Sequence, residues 1–211
     1  MQLAFYNMAS ETTIVSWLAS LLLVLQRFVR LIIAPYKTAR TIVQERDITQ
    51  SIIILALVLV YIIWAHHIRP YATSPYIIFL LTVFQLGVKS SYFYVFFRFA
   101  SQEKVSYKAF FVGYTYTLLP TLMWFMLNSL LFVLIPPPRR FSLPGTWFSI
   151  VYIAIGTALF FWKVIMEYLI TRFSSKARLS RVVYSWILFV MLFLPYMYVL
   201  YQLKIIRLPI I

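Results

Sequence analysis

The stretch SIIILALVLVYIIWAHHI, residues 51–68, decides the fold of this chain. It contains no Asp, Glu, Lys or Arg, and most of its side chains are aliphatic. A helix that crosses a bilayer needs about 20 consecutive, mostly apolar residues. The stretch therefore predicts a transmembrane helix that ends at the polar pair His66 and His67.

Four more apolar stretches follow it along the chain. Of the 211 residues, 63% are hydrophobic and 11% are charged, whereas a soluble domain has about 25% charged residues. A soluble fold of this size cannot bury so much apolar surface, because it leaves a large share of its area in water. Soluble globular, disordered and collagen-like classes are therefore excluded. We predict an all-α polytopic membrane helix bundle with five transmembrane helices. Its parts are an N-terminal region of residues 1–50, spans over residues 51–68, 75–97, 109–135, 146–170 and 182–203, and a short tail of residues 204–211.

The N-terminal region contains a shorter apolar stretch, residues 14–25. At the helical period one face collects four polar residues, Ser16, Ser20, Arg27 and Arg30. We predict an amphipathic helix that lies in the membrane interface, with its Leu-rich side in lipid. A short sixth span is the alternative. A polar connector over residues 34–49 follows.

The net charge of +14 comes from 19 Lys and Arg against 5 Asp and Glu. The basic residues mark the ends of apolar runs, which argues against nucleic acid as a partner. Twelve of them lie before the first span or in the second-to-third and fourth-to-fifth connections, and five lie on the other side. Because cytoplasmic loops carry the excess of Lys and Arg, we predict a cytoplasmic N-terminus and a C-terminus outside. We expect anionic lipid headgroups to contact four residues, Arg27, Arg30, Lys37 and Arg40.

The chain offers little material for catalysis. A hydrolytic triad or a carboxylate pair needs its groups within hydrogen-bond reach. On this topology His66 and His67 lie at the outer end of the first span, away from the acids. Adjacent side chains on a helix point about 100° apart, and the chain has no cysteine, so a metal site is not expected. We predict no enzyme activity, no metal and no cofactor. The five acids lie at or near the cytoplasmic face: Glu11, Glu45, Asp47, Glu103 and Glu167.

Lys89 is the most informative polar residue within a predicted span. A Lys at the bilayer centre costs roughly 2.5–3.5 kcal/mol on insertion scales, so its side chain should face protein or water. The alternative is a lysine that extends along the helix to the cytoplasmic headgroups. We predict a candidate polar site between spans that consists of Gln85, Lys89, Tyr114, Thr117 and Asn128.

Lys163 and Glu167 lie four residues apart near the cytoplasmic end of the fourth span. Residues at this spacing are neighbours on one helix face, so we predict an ion pair between them. Such a pair is either a proton or ion relay, or a self-neutralised pair at the interface.

Pro120 and Pro195 each remove a backbone amide from a predicted span, so we predict a helix kink at both. Small residues at i, i+4 spacing permit close helix approach and, with it, a homo-oligomer. These are Gly87 with Ser91, and Ala154 with Ala158.

The sequence of the connection before the third span resembles that of a known protein family. The chain reads FASQEKVSYKAF over residues 99–110 and GYTYTLLP over residues 113–120. The chain is similar here to the Yip-one domain family, multi-spanning membrane proteins named for interaction with Ypt/Rab GTPases. The shared features are a polar loop, a Val-Ser-aromatic entry to the span, and then Gly-Tyr and Pro within it. The stretch APYKTAR, residues 34–40, resembles the family's lead-in. The resemblance covers residues 34–203 and implies five spans with a cytoplasmic N-terminus.

Eukaryotic members of that family carry Asp-Leu-Tyr-Gly-Pro at the first span and a long N-terminal region. Here residues 47–51 read DITQS, which keeps the Asp alone, and 50 residues precede the span. The chain therefore resembles the prokaryotic branch, which implies a prokaryotic cell membrane and carries over no Rab-binding residue.

Three functions follow from these patterns. The first is a non-enzymatic membrane-organising or partner-binding protein of the Yip-one type. The second is a small-solute or ion transporter with a polar pocket around Lys89. The third is an accessory subunit of a membrane complex.

Overall fold

A computed structural model of the protein describes residues 2–68, 73–100, 105–134 and 143–203. Within these ranges the chain forms helices joined by short connections and no strand. The helices are α1 (Gln2–Ile33), α2 (Pro35–Glu45), α3 (Ile48–Ile68), α4 (Pro75–Ala100), α5 (Tyr107–Tyr116), α6 (Leu118–Leu134), α7 (Leu143–Ser175) and α8 (Leu179–Gln202).

Five segments of the described chain are long and apolar enough to cross a membrane. They are Ile48–Ile68, Pro75–Phe99, Tyr107–Leu131, Ser149–Ser175 and Leu179–Gln202. The prediction of an all-α membrane bundle with five spans is confirmed. The predicted tail over residues 204–211 lies outside the described residues.

The third span is divided into two helices. Helix α5 ends at Tyr116, Thr117 forms a turn, and Pro120 lies in the first turn of α6. Proline has no amide to donate, and its ring clashes with the carbonyl four residues earlier, which here belongs to Tyr116. The Thr117 hydroxyl donates a hydrogen bond of 2.8 Å to the carbonyl of Tyr114 across the break. Pro195, in contrast, lies inside α8, and the helix continues through it.

Helix α5 lies at the centre of the bundle, where it packs against α2, α3, α4 and α7. Its buried side chains include Phe110, Tyr114 and Tyr116, all with no exposed surface. Phe110 stacks on Phe97 of α4 with ring centroids 6.2 Å apart. Burial of such large aromatic side chains stabilises the packing of α4 on α5.

The predicted connector over residues 34–49 contains a helix of its own, α2. Pro35 occupies its first turn, where a missing amide costs nothing. Arg46 ends it in the left-handed conformation, with φ of 54°. Its buried face packs on α5 and α7, and Tyr36 meets Phe173 of α7 edge to face at 4.9 Å. This face consists of Thr38, Ala39, Ile42 and Val43.

Gly113 lets α5 pack closely against Ile170 of α7. A Cβ at this position would lie 2.4 Å from Cγ2 of Ile170, whereas a Cβ at Gly87 would meet nothing within 4 Å. Forcing an extra methyl into a packed interior typically costs about 1–3 kcal/mol. We expect Gly113→Ala to lower the thermal unfolding temperature of the purified protein. Gly87→Ala is the matched control and should leave that temperature unchanged or slightly raised; equal losses for both variants would contradict the packing described here.

Candidate functional site

An ion pair joins α4 and α7. The ammonium of Lys89 donates to Oε1 of Glu167 at 2.5 Å. The Lys89 and Glu167 side chains are 17% and 11% exposed, so both charges are largely buried inside the protein. A charge in that position is tolerated where it is paired, because an isolated one would pay its full desolvation penalty.

Aromatic rings of α5 and α8 surround the same ammonium. Its nitrogen lies 4.9 Å from the ring centroid of Tyr114, 4.7 Å from that of Trp186 and 5.9 Å from that of Phe189. The negative face of an aromatic ring attracts a cation, and more strongly when both are desolvated. We call the five residues Lys89, Glu167, Tyr114, Trp186 and Phe189 the lysine cage.

Thr171 closes the lysine cage on the side of α7. Its hydroxyl donates to the backbone carbonyl of Glu167 at 2.7 Å. The same oxygen lies 2.7 Å from the Tyr114 hydroxyl and accepts from the Trp186 indole at 3.3 Å. The polar ends of both rings are thus satisfied, and their faces are held toward Lys89. Four spans meet at this point, since the residues come from α4, α5, α7 and α8.

The lysine cage contains part of the predicted polar site. Lys89 and Tyr114 are together, and Gln85 lies partly buried one turn before Lys89 on α4. The Thr117 hydroxyl bonds to the turn before Pro120 and does not join the cage. Asn128 is part of a different contact, in which it donates 2.7 Å to the Trp124 carbonyl. The alternative of a lysine reaching the headgroups does not hold, because Lys89 points to Glu167.

The predicted ion pair between Lys163 and Glu167 is wrong. Glu167 pairs with Lys89 of the neighbouring helix, and Lys163, one turn earlier on α7, is partly buried outside the pair. The i, i+4 spacing identified a neighbour on the same helix. It could not identify Lys89, which approaches from α4 through the bundle interior.

A second polar cluster joins α1, α2, α3 and α5. Arg27 donates to Oε1 of Gln50 at 2.5 Å and forms an ion pair with Glu45. The Tyr116 hydroxyl donates to the same Gln50 oxygen, and the Gln50 amide donates to Asp47 at 2.9 Å. We call these five residues the arginine node.

The arginine node corrects the prediction for Arg27. This side chain was expected at the lipid headgroups, but the residue is 5% exposed and turned into the protein. Arg30, Lys37 and Arg40 are exposed. Arg27 is buried because a carboxylate and an amide oxygen lie within reach. Arg30, three residues later and about 60° around the helix, is exposed.

A third polar contact lies in the half of the bundle that contains α6. The Tyr61 hydroxyl of α3 lies 2.9 Å from the Ser129 hydroxyl, and the Tyr152 hydroxyl of α7 donates to the side-chain amide oxygen Oδ1 of Asn128. Side-chain hydrogen bonds of this kind hold helices together where lipid offers no partners.

The two histidines differ in their contacts, and Nδ1 of His66 is buried without a hydrogen-bond partner in the part of the chain that the structure describes. Nδ1 of His67 lies 2.8 Å from the Ile63 carbonyl one turn back, and His66 is partly buried. Among the described residues no three His, Cys, Asp or Glu side chains come together as a metal site would require.

No family model, curated protein or solved structure matches this chain.

The lysine cage predicts a specific pattern of stability. Removing one partner of a buried ion pair typically costs about 3–5 kcal/mol, whereas replacing both by apolar side chains is often neutral. We expect Lys89→Met and Glu167→Met each to lower the thermal unfolding temperature, and the double variant to recover most of the loss. Lys163→Met is the control and should have little effect. A double variant as unstable as the sum of the two single variants would contradict the pairing.

Proposed function

We propose that the chain is a non-enzymatic multi-pass membrane protein that binds anionic lipid headgroups through one basic end of the bundle and presents that end to a membrane partner. The resemblance to the Yip-one domain family supports this proposal. We also propose that the protein resides in a prokaryotic cell membrane and that its basic end faces the cytoplasm. The single observation that supports it most is the contrast between internally paired charges and exposed ones.

The basic end is where α4 and α7 end, where α5 and α8 begin, and where α2 packs across α5 and α7. Ten of the described basic residues at this end are exposed: Arg30, Lys37, Arg40, Arg46, Arg98, Lys108, Arg172, Lys176, Arg178 and Arg181. Cytoplasmic segments next to spans carry this excess of Lys and Arg, and each contributes about 1 kcal/mol to attraction by an anionic membrane surface.

The bundle interior uses its polar groups differently. The charges of the lysine cage and of the arginine node are compensated by neighbouring helices. These paired charges hold neighbouring helices in fixed positions relative to one another. This supports a scaffold whose working surface is the basic end and its outer helix faces.

Lipid selectivity tests the proposed function. With the protein reconstituted in phosphatidylcholine vesicles containing spin-labelled phosphatidylglycerol, we expect the anionic lipid to be immobilised in preference to a zwitterionic label. At about 1 kcal/mol per residue, neutralising three residues lowers that preference by up to about two orders of magnitude. The three changes are Arg30→Gln, Lys37→Gln and Arg40→Gln.

The control for this experiment keeps the charge and changes the side chain, with Arg30→Lys, Lys37→Arg and Arg40→Lys. It should retain the preference for phosphatidylglycerol. High salt should weaken the binding of the native protein, because exposed charges are screened. An unchanged preference in the neutralised variant would overturn the proposal.

A transporter is the second candidate, and the lysine cage favours it. Ionisable residues inside spans often mark ion or proton pathways, and Lys89 with Glu167 links two spans. Proteoliposome flux would show it: transport of a proton, ion or small solute should be abolished in the Lys89→Met, Glu167→Met double variant, whose fold is expected to persist. Flux that survives this double variant, or no flux over a broad panel, excludes the candidate.

A further inference from the structure

Helix α1 lies outside the five spans described above. It packs against α3 and α2, and within residues 17–33 the side chains of Val24, Arg27 and Leu31 are buried at helical spacing. The opposite face is exposed and apolar. It consists of Trp17, Leu18, Leu22, Leu25, Val29, Ile32 and Ile33.

Two contacts with α7, one from the first turn of α2 and one from α1 itself, fix the direction of α1. Tyr36, just after α1, meets Phe173 at 4.9 Å, two residues before α7 ends at Ser175. Phe28 meets Trp162, with ring centroids 6.0 Å apart. Going from Phe173 to Trp162 moves eleven residues, roughly 16 Å at 1.5 Å per residue, away from the basic end. Followed backward from Ile33 to Trp17, helix α1 therefore runs alongside the spans and away from the basic end.

The arginine node gives the depth. Arg27 bonds to Gln50, which lies in the first turn of the span Ile48–Ile68. Since α1 runs antiparallel to α3 from this point, residues 17–26 lie alongside the following apolar turns of that span. Leu21 and Val24 belong to the same apolar cluster as Ile53, Ile54 and Leu57.

We propose that α1 inserts into the bilayer beside α3 and that acyl chains cover its outer face. A helix lying flat in the interface would keep a polar side toward water. Residues 17–25 read WLASLLLVL and offer one serine for that purpose. The single charge between Trp17 and Val29 is Arg27. It is buried level with the first turn of α3 and is bound by Glu45 and Gln50, and such pairing is how a charge is tolerated within a membrane bundle.

Helix α1 is long enough for this role. Its 32 residues correspond to about 48 Å at 1.5 Å per residue, against a hydrocarbon core of about 30 Å. The occupant of the outer face follows from continuity with the helices that α1 contacts, α3 and α7. These helices also expose apolar side chains, Val60 and Val164 for example, and both belong to spans.

A depth profile tests this proposal. The chain has no cysteine, so a spin label can be placed singly on the exposed face by replacing Ile33, Val29, Leu25, Leu22 or Leu18 with Cys. In vesicles of phosphatidylcholine and phosphatidylglycerol, the relative accessibility to oxygen and to a water-soluble nickel complex reports the depth of each label. We expect the depth to increase stepwise from position 33 to position 18, over as much as roughly 22 Å for an upright helix.

Two positions calibrate the profile. A label at Val60, exposed within the α3 span, should report hydrocarbon, and a label at Thr41, exposed on α2, should report water. A constant, shallow depth from position 18 to position 33 would show an in-plane helix and overturn the proposal. Strong coupling between spin labels at position 22, with oxygen excluded, would show a second copy on this face and overturn the assignment to acyl chains. Neither outcome depends on lipid headgroup selectivity, so the proposed function is tested separately.

Discussion

The structure depends on one constraint: a charge withdrawn from water must find its counter-charge or hydrogen-bond partners inside the protein. Hydrocarbon supplies no partners, and an unpaired polar group in it costs several kcal/mol. Here the constraint is met at two places. Lys89 is paired with Glu167 and surrounded by aromatic rings, and Arg27 is bound by Glu45 and Gln50. Lys89 and Arg27 both find their partners on other helices, so compensation of each charge also determines which helices are neighbours.

Helix α5 connects the lysine cage and the arginine node. Tyr114 contributes a ring to the lysine cage, and Tyr116, two residues later, donates its hydroxyl to the arginine node. Side chains two apart on a helix point in roughly opposite directions, about 200° apart, so one short helix faces both clusters. The break at Thr117 ends α5 directly after these tyrosines. Polar contacts on both sides of this central helix thereby link it to its neighbours at one level of the bundle.

Hydropathy was sufficient to predict the class and the number of spans, because the requirement for about 20 apolar residues acts locally along the chain. Partner choice is not local. The spacing of Lys163 and Glu167 favoured a pair on one helix, whereas the partner of Glu167 is Lys89, 78 residues away in sequence. One signal was available: an acid and a lysine lay within different predicted spans, and each needed compensation. Arg27 was misplaced for a similar reason, since helical periodicity shows which residues share a face but not what that face contacts.

The central claim is that Lys89 and Glu167 form an ion pair across two spans in the bilayer. Solid-state NMR of the reconstituted protein, with ¹⁵N at lysine Nζ and ¹³C at glutamate Cδ, measures this directly. A charge-assisted hydrogen bond places those two nuclei within about 4 Å. We predict a strong dipolar coupling that is lost in Lys89→Gln and kept in Lys163→Gln. A coupling that disappears with Lys163→Gln instead, or no coupling from Glu167, would contradict the account.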